Sequence, residues 1–154
     1  MHYQAIIPAP FAHLGVVFNA DGIQRIDFLP LTTQLLANQH SHVQALQQAL
    51  VSYWQDAHYQ PLQDVPVSYQ ATIHQARVWQ ALLAIPSGQT RYYGEVAAQI
   101  ASYPRAVGQA CGANPLPILI PCHRVVGKTN PGGFMHSRDD TVLAYKQWLL
   151  AHER

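Results

Sequence analysis

The stretch Leu116-Pro117-Ile118-Leu119-Ile120-Pro121-Cys122-His123-Arg124-Val125-Val126 is what any fold of this chain must accommodate. It is apolar on both sides of a single polar trio, and such a trio is out of place in a plain buried strand. A free cysteine thiol ionises near about pH 8.5, and a neighbouring base or cation brings the thiolate within reach at neutral pH. His123 is adjacent to Cys122. On an extended chain, successive side chains point to opposite faces, so help from His123 is expected through a water rather than by direct contact. A lone cysteine in an apolar run is more often a small core residue than a reactive one. The trio alone leaves both readings open.

Ahead of this stretch, residues 15–29 read as a hairpin. Both arms are rich in β-branched and aromatic residues, Asp21-Gly22 supplies the turn, and Pro30 closes the second arm. Between about 40 and 57, Val43, Leu46, Leu50, Tyr53 and Trp54 recur at helical steps, which predicts a helix with Ser41 as its N-cap. Residues 58–69 carry Pro and Gln without period and read as a linker. Thr72 is placed to cap a helix that buries Val78, Leu82 and either Trp79 or Leu83, with Pro86-Ser87-Gly88 ending it. Residues 90–92 read as a short extended piece, 93–100 as a second helix, and 105–113 as a third, short and full of small residues. Two helices joined tightly and followed by a small-residue helix predict a helix-turn-helix. The expected fold is α+β: a bracing domain, 1–65, made of a small sheet with one covering helix, then a mainly helical, winged-helix-like domain, 66–154.

Charge follows the same division. Residues 1–66 carry Arg25 against Asp21, Asp27, Asp56 and Asp64, net −3, whereas 67–154 carry eight basic and four acidic residues, net +4. An asymmetry of this kind is what a half that meets a polyanion would show, though so few charges also scatter this way by chance. Cys111 and Cys122 are too few for a disulfide framework, no signal peptide is read at the N-terminus, and no apolar run approaches a membrane span. The expectation is a soluble, cytoplasmic or otherwise intracellular monomer (nuclear in a eukaryote) that meets no membrane. Nine histidines are scattered without ligand spacing, and His40-Ser41-His42 fits an exposed helix start. No metal and no cofactor is expected.

The longer string 114–126 resembles the signature of the O6-alkylguanine-DNA alkyltransferases, also called methylated-DNA–protein-cysteine methyltransferases. The segments 77–83 and 86–97, and the closing 146–153, resemble the same family. The resemblance spans about 72–153, and the first 65 residues agree only in outline. It implies a DNA-binding and catalytic second domain that takes an alkyl group from O6-alkylguanine in double-stranded DNA onto Cys122, once per molecule. It further implies that His123, through water, removes the thiol proton while Glu153 orients His123. Asn114 would brace the turn under Cys122, and Tyr93 would donate to the departing guanine. Arg124 would tie local backbone. The small-residue helix with Arg105, Ala106, Gly108, Gln109 and Gly112 would enter the minor groove, which suits a reader indifferent to sequence. Arg105 would fill the gap left by the flipped nucleotide, and Pro104 would fix the entry of the helix.

The chain departs from the family pattern after the signature. Phe134 stands as an aromatic without hydroxyl, no paired glycines follow it, and the loop is longer. Phe134, Met135 and Ser137 are expected to line the substrate pocket, with Ser137 a candidate for the lost hydrogen bond. Gly112 replaces a basic residue found in some relatives, which points to weaker DNA affinity. The competing reading is a non-enzymatic protein that binds alkylated DNA and flags it for other machinery. The presence of Cys122 favours the enzyme. A Cys-His hydrolase using His74, His136 or His152 is the third reading and the least favoured.

Overall fold

The computed structural model describes residues 2–130 and 132–154. The chain forms two compact units, divided between Gln70 and Ala71. None of the described helices is long and apolar enough to cross a membrane.

The first unit is a three-stranded antiparallel sheet in the order β1-β2-β3, with β1 at Ala5–Pro8, β2 at His13–Asn19 and β3 at Gly22–Leu29. The hairpin expected from the sequence is β2–β3. Its turn is closed by the Asn19 side chain, whose oxygen accepts from the backbone of Asp21 at 2.8 Å and of Gly22 at 3.1 Å. One irregularity between Val17 and Phe18 shifts the register. Helix α1, Ser41–Gln55, buries Val43, Leu46, Ala49, Leu50 and Tyr53. With Ala5, Ile7, Leu14, Val16, Ile23 and Ile26 these make the core of the unit.

Two local expectations are corrected here. The N-cap of α1 is His40 rather than Ser41: Nδ1 of His40 accepts from the backbone of His42 at 3.1 Å, which an imidazole does as well as a hydroxyl. The His40 ring lies 4.6 Å from that of Phe18, and His42 Nε2 bonds to the Ala20 carbonyl, so the pair fastens the helix start to the hairpin. The presumed linker is likewise bound. Pro66–Ser68 runs along β3, with Ile23 N donating to Pro66 O and Ser68 N to Ile23 O, both at 2.8 Å. The approach is so close that a Cβ on Gly22 would lie 2.6 Å from the Pro66 backbone.

The second unit opens with α2, Ile73–Leu83, started by a reciprocal capping box between Thr72 and Gln75. Val78, Trp79, Ala81 and Leu82 are buried, and the Trp79 indole donates to Ala110 O at 2.9 Å. Next come β4 at Arg91–Tyr92, α3 at Tyr93–Gln99 and α4 at Pro104–Gly112. The α3–α4 connection turns at Ala101, φ 56, with Ser102 N donating back to Ala97 O at 2.8 Å. This left-handed helix end is usually made by glycine. After the loop 113–121, the segment Cys122–Arg124 is a single 3₁₀ turn, and β5, Val125–Val126, pairs in parallel with β4. Helix α5, Asp140–His152, closes the unit. The signature is therefore not a buried strand. Its apolar residues fill the core as a loop, which is how a polar trio comes to sit among them.

Candidate active site

The loop that carries Cys122 is held by one side chain. Asn114 Nδ2 donates to Ile120 O at 2.8 Å, and its oxygen accepts from Leu116 N at 2.9 Å. Between these ties the chain passes through Ile118 at φ 77, a conformation that a β-branched residue occupies only under constraint. Pro121, at φ −81 and ψ 65, then makes an inverse γ-turn in which Cys122 N donates to Ile120 O at 2.8 Å. Cys122 borders a cavity of about 590 Å³.

The two residues that follow Cys122 belong to a buried ionic cluster. Glu153, directly after α5, receives His123 Nε2 at 2.9 Å and Arg124 in two bonds, Nε at 2.9 Å and Nη2 at 2.8 Å. Arg124 Nη1 also donates to Ile85 O at 2.7 Å. Arg124 thus joins the loop to α5 and to the segment after α2, rather than to local backbone as expected. With a carboxylate at Nε2, that nitrogen carries the proton and Nδ1 is the acceptor. His123 is fully buried, and its Nδ1 has no hydrogen-bond partner among the described residues.

Burial sets the protonation states. It pushes the Cys122 thiol up to about 11, while the Asn114 side chain and the Lys146 charge pull the other way. It lowers His123, against the opposing pull of Glu153, so the ring is a neutral base at pH 7. Tyr93 is raised to about 12, mostly by burial, and keeps its proton.

Lys146 was not singled out from the sequence. It is completely buried with no carboxylate partner among the described residues, and burial brings it down to about 8. Its ammonium donates to Val125 O at 2.7 Å and Gly133 O at 3.0 Å, and lies 5.8 Å from the centre of the Tyr93 ring. One signal was available: Lys146, Leu149 and Glu153 follow at steps of three and four, so a lysine sits on the buried stripe that α5 continues to its cap, Glu153. Cys111 also borders the cavity unannounced.

The cavity gathers most of the sequence-derived candidates. Tyr93 and Cys122 border it, as do Arg105, Gly108, Gln109 and Gly112 of α4, and Phe134, Met135 and Ser137. Ala106 borders a separate hollow beside Thr72 and His74. His123, Glu153 and Asn114 are buried and do not border the cavity. Paired glycines are present, but ahead of Phe134: Gly132, at φ 76, lies where a Cβ would be 2.7 Å from the Tyr93 hydroxyl. Phe134 to Ser137 is a two-residue turn closed by reciprocal backbone bonds of 2.8 and 2.9 Å, with Met135 and His136 both at positive φ. The Ser137 hydroxyl accepts from Asp139 N at 3.0 Å, so it is engaged at the start of α5. The His136 ring occupies the space that a side chain on Gly112 would need.

Fold and site together define a cysteine-centred protein built on a helix-turn-helix. A family model described as the DNA-binding domain of 6-O-methylguanine DNA methyltransferase matches residues 73–154. The constitutive methylated-DNA–protein-cysteine methyltransferase of Bacillus subtilis is 34% identical over 165 residues, covering 100% of this chain and 96% of that protein. The Salmonella typhimurium methylated-DNA–protein-cysteine methyltransferase is 47% identical over 90 residues, 53% of this chain and 47% of that protein. Among solved structures, Mycobacterium tuberculosis OGT in complex with DNA aligns with a TM-score of 0.71 at 29% identity, covering 96% of this chain and 90% of that one. The chain belongs to the 6-O-methylguanine DNA methyltransferase family. It spans about half the length of the mimivirus and Salmonella relatives it matches.

Proposed function

We propose that this protein repairs O6-alkylguanine in double-stranded DNA by moving the alkyl group onto Cys122, once per molecule, and that it acts as an intracellular monomer. The observation that carries the reading is the orphaned Nδ1 of His123, buried beside a thiol that burial holds protonated. A thiol at about 11 attacks only if its proton is taken during the step. A water bridging Sγ and Nδ1 would satisfy the orphaned nitrogen and carry that proton. Glu153 fixes the ring and stabilises the imidazolium that forms, and Arg124 holds the Glu153 carboxylate in place.

The reaction is an in-line displacement. The Sγ–carbon bond forms as the carbon–O6 bond breaks, and its electron pair leaves with guanine. The thiol proton goes to His123. Tyr93, protonated at neutral pH, donates to the departing base. The lesion is hidden inside a duplex and must be flipped out to reach Cys122. Helix α4 would enter the groove, and Arg105, exposed at its first turn, would occupy the gap. The DNA complex of the M. tuberculosis relative and the names of the B. subtilis and Salmonella proteins support DNA as the partner.

Incubation with a duplex bearing O6-methylguanine, followed by intact-mass measurement, tests the reading. One methyl group per chain is expected, and Cys122→Ser should abolish it. Tight binding at unchanged mass would instead establish the flagging role.

A further inference from the structure

Resting on the alkyl-transfer reading and narrowing its substrate, we propose that the cavity above Cys122 favours O6 adducts that carry a negative charge, carboxymethyl being the simplest. Arg138 pairs with the carboxylate and His136 assists it.

The cavity border carries Arg105, His136 and Arg138 but no aspartate or glutamate. None of the three makes a hydrogen bond or ion pair with another described residue. An unpaired guanidinium keeps all its donors for whatever enters. The charge of Arg138 reaches the cavity floor, where it disfavours further positive charge on Lys146 and favours ionisation of Tyr93. Its stem runs over Gly133, 3.7 Å from where a Cβ would stand there, so the missing side chain leaves it room. The neighbouring acids do not compete. Asp139 is engaged as the N-cap of α5, accepting from Thr141 N at 2.9 Å, and neither it nor Asp140 borders the cavity. The tight turn at Met135–His136 points this short segment back toward α4, with the His136 ring against Gly112.

The chemistry gives these side chains a purpose. In the transfer, a sulfur gaining negative charge approaches the carbon bonded to O6. If that carbon also bears a carboxylate, the two charges repel as they converge. A guanidinium forked onto the carboxylate cancels the repulsion and aligns the carbon for attack. The Sγ–CH2 bond forms, the CH2–O6 bond breaks, and guanine leaves with the electron pair. The thiol proton passes to His123, and the carboxylate stays ionised throughout. A neutral group of the same size gains nothing from Arg138. The cavity, at about 590 Å³, has room for the larger adduct.

The experiment compares single-turnover transfer from duplexes of one sequence carrying O6-carboxymethylguanine or the uncharged O6-(2-hydroxyethyl)guanine, read by intact mass. The wild-type rate ratio should exceed one and fall with added salt. Arg138→Gln should lower the ratio roughly tenfold, as loss of a charged hydrogen-bonded pair does. Arg138→Glu should lower it further, and His136→Gln by a smaller factor. A wild-type ratio at or below one, or a ratio unmoved by both Arg138 variants, overturns the proposal. So does an equal slowing on both lesions, which would assign Arg138 to a DNA phosphate. Wild-type protein that takes up no methyl from O6-methylguanine sinks the transfer reading and this inference together. Methyl uptake with an unmoved ratio sinks this inference alone.

Discussion

Glu153 holds one imidazole and one guanidinium on a single carboxylate, almost without exposure. Removing the charge from such a buried cluster leaves two donors uncompensated, and breaking a buried pair costs about 3–5 kcal/mol. Glu153→Gln is therefore expected to lower the denaturant midpoint strongly and to slow methyl transfer at least about tenfold. A stable variant with the wild-type rate would remove Glu153 from the chemistry. The thiol supplies a second prediction. A group whose proton is retained to about 11 has little thiolate at neutral pH. Alkylation of Cys122 by iodoacetamide, followed by peptide mass mapping, should rise about tenfold per pH unit between about pH 7 and 9, without levelling near the value of free cysteine. Cys111 is raised further still by burial and should react more slowly. At this scale the family signature around Cys122 was legible, because it is a contiguous string of residues. The partners of Arg124 were not, since Ile85 and Glu153 are far from it in the chain.

The elements show which local rules held. Periodicity located α1 through α3 because each buries one face, and Thr72 was readable as the cap of α2. The loop 113–121 was not readable as a loop. Its apolar residues have no period of their own, and only Asn114, three prolines and the strained Ile118 give it shape. The strand β1 also went unread: it is only four residues long and takes its form from pairing with β2. The turn of the helix-turn-helix carries its own test. Ala101 occupies a left-handed position at φ 56, where a Cβ is disfavoured. Ala101→Gly should raise stability by about 0.5–1 kcal/mol in chemical denaturation. A loss of stability would mean that the Ala101 methyl group makes contacts worth more than the strain.

For the whole molecule, the low charge content hides an uneven distribution, net −3 over residues 1–66 and net +4 over 67–154. A duplex partner should be held largely by phosphate contacts, so binding measured by fluorescence anisotropy should weaken steadily with salt. A flat salt response would argue against groove entry by α4. Arg105→Ala should slow transfer from duplex DNA more than from the free O6-methylguanine base, because only the duplex must be held open. Equal losses on the two substrates would leave Arg105 no such role. By itself the sequence determined the family and the existence of most helices. Side-chain identity decides whether a proton can be taken, and apolar spacing decides which face is buried. Tertiary structure alone decided that Cys122 is offered by a γ-turn rather than a strand, and that buried Lys146 ties the pocket loop to β5. It alone placed Arg105, His136 and Arg138 around one cavity. These are distances between residues remote in the chain, and packing of the folded unit is what sets them.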